Sequence, residues 1–345
     1  RPYDTGHLAL LVMSDASAPP TSALSVLMVA SEAQPYAKTG GLADVTGALA
    51  AALARLGHAV TLVMPRYRVV HAAGRGGRRL PLTMGGRAFE VGLLEVPHGP
   101  RERVVLVECD ELYDREGLYG AGGQDHPDNA VRFGVLSRVA LDYAVGLESP
   151  PSIVHAHDWQ TGLVPVLLRT RYSANPVWLG IPSVFTIHNL AYQGVFPAET
   201  LSALDLGSEL LSIDGLEFWN QVSFLKGGIN FADTLTTVSP AYAREIRTPE
   251  YGEGLEGLLV HRQHVLTGIL NGIDTDTWNP WTDPYLPAPF SAADLGGKRF
   301  AKRAVLTRYG LPDDAAAMAR PLIGMVSRMV PQKGLDLVWK GRGAL

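Results

Sequence analysis

Cysteine is almost missing from this chain: Cys109 is the one cysteine in 345 residues. A lone thiol can form neither an intramolecular disulfide nor a cysteine-based zinc site, so the composition suits a reducing compartment and a cytoplasmic protein is expected. Long hydrophobic runs are missing too. No stretch reaches the roughly 18–20 consecutive apolar residues of a spanning helix, and the apolar run 8–13 is short for a signal core, so neither a membrane nor an export role is expected. Nor is there a basic excess. Thirty Lys+Arg stand against 34 Asp+Glu, for a formal charge of −4, which argues against a nucleic-acid partner. Lysine itself is scarce, confined to Lys38, Lys226, Lys298, Lys302, Lys333 and Lys340. What remains, 46% hydrophobic and 19% charged, is the composition of a globular chain of roughly two domains.

Residues 1–23, with a small-residue and proline stretch at 16–22, read as a tail. From Leu24 to Ala30 an apolar run without helical spacing predicts a strand buried on both faces. After the loop SEAQPYAKTGG, apolar residues at Leu42, Val45, Leu49, Leu53 and Leu56 mark one face of a helix ending at Gly57. A strand over 58–64 completes a βαβ unit, whose right-handed crossover implies a sheet covered by helices. The pattern recurs. Strands are predicted at 103–107, 152–156, 183–187 and 234–238, and helices at 130–145, 162–169 and 215–230. The Gly/Arg-rich stretch 74–99 fits hairpins. The fold class is therefore α/β, doubly wound. A second α/β region is expected to open with a strand over 264–270 that delivers the turn Asn271-Gly272-Ile273-Asp274. A basic helix over 298–309 and a strand over 322–327 follow. The stretch from 263 to 345 is shorter than the roughly 100–200 residues usual for such a domain, so a truncated second half is expected.

Several loops carry chemistry. Lys38-Thr39-Gly40-Gly41 lies between a buried strand and a helix N-terminus, where free N–H groups and the helix dipole favour an anion such as phosphate. Its spacing is neither of the two glycine-rich phosphate-loop patterns, and a purely structural loop remains open. At another strand end, His155-Ala156-His157-Asp158-Trp159 puts both histidines on one face at the edge where open α/β sheets bind ligands. Metal ligation, a buried structural role and contact with a polar ligand are the competing readings. Polar and aromatic residues over 186–194 suit a hydroxyl-rich ligand or a self-satisfied loop. Asp128 reads as a helix cap, and the loop with Arg328 and Lys333 as a diphosphate site or a solvated basic loop.

In order along the chain, SEAQPYAKTGGLADV, PDNAVRF, HAHDWQTGL, TIHNLAYQG, NGIDTDTWNP and SRMVPQKG resemble the bacterial glycogen synthase and plant starch synthase family, from about Ser25 to about Val338. The resemblance implies a GT-B fold of two Rossmann-like domains facing a cleft. Residues 24–262 would form the N-terminal starch synthase catalytic domain, and 263–345 the start of the nucleotide-binding domain. It implies transfer of glucose from ADP-glucose to the non-reducing end of an α-1,4-glucan such as glycogen, with retention and without metal or other cofactor. By position, His157, Asp128, Arg328 and Lys333 would be catalytic, and Lys38, Gly40, Gly41, Asn271 and Glu32 would bind the donor. Tyr119 would lie on the glucan side. Retention without an evident carboxylate nucleophile favours departure and attack on one face of an oxocarbenium-like species, the diphosphate helping to take the acceptor proton. The family's sequence continues past the PQKG loop with an acidic pair and a glycine-rich turn that are not found before Leu345. Two alternatives stand beside this reading: an inactive glucan-binding remnant of such an enzyme, and a metal-dependent hydrolase using His155 and His157.

Overall fold

The computed structural model describes residues 23–327, 329, 333–341 and 343. Its first strand, β1 (Ser25–Val29), is buried from Val26 onward, as a strand covered on both faces must be. The alanine-rich α1 (Gly41–Arg55) follows, and the chain turns at Gly57, whose φ of 95° ends the helix in the left-handed region. β2 (Ala59–Pro65) then pairs parallel to β1, Val26 opposite Val60. The Gly/Arg-rich stretch is a hairpin, β3 (Arg75–Met84) and β4 (Arg87–Pro97), closed by Gly85 and Gly86, both at positive φ.

Five more strands complete one sheet: β5 (Glu102–Glu108), β6 (Ile153–His157), β7 (Ser183–Ile187), β8 (Thr234–Thr237) and β9 (Leu266–Gly268). The order across it is β9-β8-β7-β6-β1-β2-β5-β4-β3. Neighbours from β9 to β5 are parallel, and only the β4 pairings are antiparallel. From β1 the chain steps out to β2 and β5, then returns to β6 on the other flank of β1. The strand order therefore reverses between β1 and β6, and the C-terminal ends of these two strands form the crevice where open α/β sheets take ligands. Helices α2 (Asn129–Val145), α3 (Leu163–Arg169) and α4 (Phe224–Phe231) pack as expected of crossovers, and the apolar core runs from Val26 to Leu259. No helix among the described residues is long and apolar enough to cross a membrane.

Three expectations are corrected. The stretch 215–230 is not one helix: Glu217–Phe218 and Gln221–Ser223 pair antiparallel, the latter also with Val195–Pro197, before α4 begins. Trp219 and Asn220, both at positive φ, turn this hairpin, and the helix starts only where the Ser223 hydroxyl caps the Lys226 N–H at 3.1 Å. The strand predicted over 264–270 forms, but as β9 at the edge of the first sheet, with Leu266 opposite Leu235. The unit holding this sheet ends at Gly272 and a second begins at Ile273. Residues 322–327 are not a strand. They are exposed and belong to no strand among the described residues. Within the second unit the expected basic helix is present as α5 (Lys298–Arg308), which buries Leu306.

Candidate functional site

The loop leaving β1 is organised by a buried carboxylate. Glu32, 2% exposed, accepts hydrogen bonds from the Thr39 N–H, the Thr39 hydroxyl at 2.7 Å and the Tyr119 hydroxyl. The Tyr119 hydroxyl also meets Ser31 Oγ at 2.8 Å. Glu32 thus holds the glycine loop in place from below, with its carboxylate already committed to protein partners. Beyond it, Gly40 is extended (φ −157°, ψ −163°) and no side chain caps α1. A β-carbon at Gly41 would meet nothing within 4 Å. With no side-chain cap, the first-turn N–H groups of α1 are left for water or an anion. Lys38 is ion-paired with Asp44 at 2.7 Å, both side chains being more than a third exposed. A pair in water holds weakly, so the ammonium is free to exchange partners.

At the end of β6 three imidazoles gather. His155 and His157 share one face, as period-two alternation requires, their ring centroids 4.1 Å apart. His155 Nε2 bonds the Thr186 hydroxyl at 2.6 Å, and His157 Nδ1 lies 3.0 Å from His188 Nε2. Burial is the main cause that keeps all three neutral: His155 is pushed down to about 3, His188 to about 4, and His157 well below the usual range, with neighbouring histidines adding to the effect on His155 and His157. His157 is fully buried, yet its Nε2 has no partner among the described residues. An unpaired buried polar atom is unfavourable unless something else bonds it. As for the metal reading of His155 and His157, one nitrogen of each is engaged, His155 Nε2 by Thr186 and His157 Nδ1 by His188, and the described residues contain no group of three metal-binding side chains disposed to hold an ion.

Asp158 follows directly and was not singled out from the sequence. Its backbone (φ 57°, ψ −178°) lies in a region open essentially to glycine, a strain of about 1–3 kcal/mol for other residues. Its carboxylate accepts the N–H of His188 at 2.7 Å and of Asn189 at 3.4 Å. Burial raises it to about 7, against the pull of those two N–H groups. His188 was missed as a partner of His157 because the two are 31 positions apart, and only the β6–β7 pairing joins them.

Asp128 occupies the cap position of α2, but its side chain does not cap. It instead takes Arg115 in a two-point ion pair at 2.6 and 2.7 Å. Burial raises the carboxyl, but Arg115 outweighs it and holds it below the usual carboxylate range. The capping expectation is thereby corrected: a fork of two charge-assisted bonds outcompetes one bond to a backbone N–H. Nearby, Arg132 is fully buried and donates to the carbonyls of Leu112 and Leu118 and to Asn129 Oδ1. It fixes the loop that delivers Tyr119. The ring of Tyr119 in turn lies 6.4 Å from that of Trp159, joining the β1 and β6 sides of the crevice.

The structure thus brings Glu32, the Gly40–Gly41 loop, Tyr119 and His157 to one end of the sheet. Asn271 is exposed in the irregular segment after β9, and Lys333 is exposed in the second unit. Arg328 lies outside the described residues.

The family model for the starch synthase catalytic domain matches residues 25–261. The chain belongs to that family. Its relatives include the glycogen synthase of Syntrophotalea carbinolica, 48% identical over 318 residues, covering 91% of this chain and 65% of that protein. The glycogen synthase of Myxococcus xanthus is 49% identical over 320 residues, covering 91% and 66%. The chain therefore spans about two thirds of the length of the curated family members it matches. Among solved structures, the catalytic domain of starch synthase IV from Arabidopsis thaliana, bound to ADP and acarbose, matches with a TM-score of 0.83 at 35% identity. That match covers 94% of this chain and 66% of the other. With the large parallel sheet, it gives the chain the α/β architecture of the GT-B fold.

Proposed function

We propose that this chain carries the glucosyl-transfer site of a glycogen synthase, which moves glucose from ADP-glucose to the non-reducing end of an α-1,4-glucan with retention of configuration. The observation that carries the reading is the end of the sheet at its switch point. There, past the ends of the adjacent strands β1 and β6, lie a helix N-terminus without a side-chain cap and a buried neutral histidine with one nitrogen unpaired among the described residues. The naming of the relatives, and the ADP and acarbose bound to the Arabidopsis enzyme, support the choice of donor and acceptor.

In this reading the α1 N–H groups and Lys38 receive the diphosphate, and Gly40 and Gly41 let it approach the backbone. His157, uncharged, bonds a sugar hydroxyl through Nε2, and such a bond gains strength in a site without bulk water. By the family resemblance, Arg328 and Lys333 would supply positive charge to a departing diphosphate and Asn271 would contact the sugar, while Asp128 holds Arg115. Tyr119 lies on the glucan side.

The carboxylates described above bear on how retention is achieved. Glu32 is engaged by Thr39 and Tyr119, Asp158 by the His188 and Asn189 N–H groups, and Asp128 by Arg115. None is left free to attack an anomeric carbon, which supports same-face departure and attack over double displacement. The cytoplasm, where nucleotide sugars and reduced cysteine coexist, is the compartment this function implies.

The test is product analysis. Incubated with glycogen and ADP-glucose labelled in the sugar, the protein is expected to place label at glucan ends as α-1,4-linked glucose, with ADP released in equal amount. Faster labelling from UDP-glucose would overturn the donor assignment. Glucan binding with neither labelling nor ADP release would mean an inactive remnant.

A further inference from the structure

A residue selected only to carry the chain through φ 57°, ψ −178° would be glycine, yet this chain places a buried aspartate there. Asp158 ties two strand ends together. Its N–H donates to the Thr186 carbonyl at 2.9 Å, its carbonyl accepts the Thr161 N–H at 3.1 Å, and its carboxylate receives the His188 N–H. The backbone of His188 is therefore clamped to the residue that follows His157. From that backbone the His188 ring reaches across to His157 Nδ1. Just one hydrogen can sit between these two nitrogens, so the contact couples the tautomers of both rings. The other nitrogen of His157, Nε2, is the one left unpaired among the described residues.

We infer that Asp158 is a positioning residue: by clamping the His188 backbone it fixes the His188 ring on His157 Nδ1, and so sets which state His157 Nε2 presents to the ligand. The inference rests on the reading of His157 as a ligand-contacting group for its functional meaning, though not for its geometry. Asp158 itself touches no ligand. Its effect passes through His188, in the way that an outer hydrogen-bond partner orients a working imidazole.

The experiment uses the full chain labelled with 15N-histidine. Two-bond proton–nitrogen correlation spectra report the tautomer of each ring, with signals assigned from His157→Gln and His188→Gln spectra. Urea midpoints are measured alongside. Asp158→Gly relieves the backbone strain while removing the clamp. Its midpoint is expected to match that of the parent chain, while the His157 and His188 signals pass from one fixed tautomer each to an averaged pair. Asp158→Asn keeps an oxygen acceptor and is expected to keep the parent spectrum.

Fixed tautomers in Asp158→Gly would overturn the inference. So would a large fall in its urea midpoint, which would make the carboxylate a staple of the fold. Where transfer is measured, kcat in Asp158→Gly is expected to fall at least tenfold with the donor KM within twofold, and Asp158→Asn to recover most of the rate. A parent chain that shows fixed tautomers but transfers no glucose would contradict the functional reading and leave the positioning role intact.

Discussion

His155, His157 and His188 are buried uncharged, and this ties stability to pH. Their folded values, about 3 for His155, about 4 for His188 and well below normal for His157, all lie under the unfolded value of roughly 6.5. The stability they contribute is present above about pH 6.5 and lost as pH falls toward 4, because the unfolded chain then binds protons the folded one refuses. Asp158 works the other way. Its raised value favours the folded state at acid pH and withdraws that contribution as pH rises from about 4 to about 7. Three histidines outweigh one carboxyl, so the urea midpoint is expected to fall between pH 7 and pH 4.5. His188→Gln should flatten the dependence, and an unchanged midpoint across that range would contradict the burial argument. At this scale the sequence showed part of the site. His155 and His157 were legible because strand alternation puts them on one face. Asp158 and His188 were not, because their bonds form only once β6 and β7 pair. Asp128 was misread as a cap because Arg115 lies thirteen positions before it, in a loop without periodicity.

The βαβ elements were legible because they are built from local pattern: an apolar strand, a 3.6-residue stripe and a glycine stop. Where the governing interaction was not local, the pattern misled. The residues at 215–223 run directly into a helix in sequence, but Trp219 and Asn220 turn them into a hairpin that pairs with Val195–Pro197. The apolar run at 322–327 has strand composition, but the described residues offer it no neighbouring strand. The start of α1 makes a sharper test of element and function together. Alanine at Gly41 meets no neighbour and joins a helix, so Gly41→Ala should leave the urea midpoint unchanged or raise it by up to about 1 kcal/mol in stability. The same methyl group intrudes on the space above the first-turn N–H groups. Calorimetric titration with ADP is expected to show affinity lowered about tenfold, near 1.4 kcal/mol. Equal ADP affinity in the two proteins would remove the diphosphate from this helix end.

Across the whole molecule, burial is uneven. The apolar core lies between Val26 and Leu259 and the sheet closes with β9, all within the unit that ends at Gly272. A protein shortened to residues 23–272 is therefore expected to unfold cooperatively, with a Tm within about 2–4 °C of the main transition of the longer chain, the shift that about 1 kcal/mol produces at this size. Failure of that piece to fold would show that the sheet depends on residues beyond Gly272. The ends of β1 and β6 belong to this unit, and with them His157 and the helix start proposed to meet the sugar and the phosphate. The most direct measurement is the rate of labelled glucose transfer from ADP-glucose to glycogen by the parent protein and by His157→Gln, with urea midpoints taken on both. The expected result is transfer by the parent and a loss on the order of 10²-fold in the variant, at an unchanged midpoint, as for removal of one positioned hydrogen-bonding group from a reacting centre. Equal rates in the two proteins, or no transfer by the parent, would contradict the account.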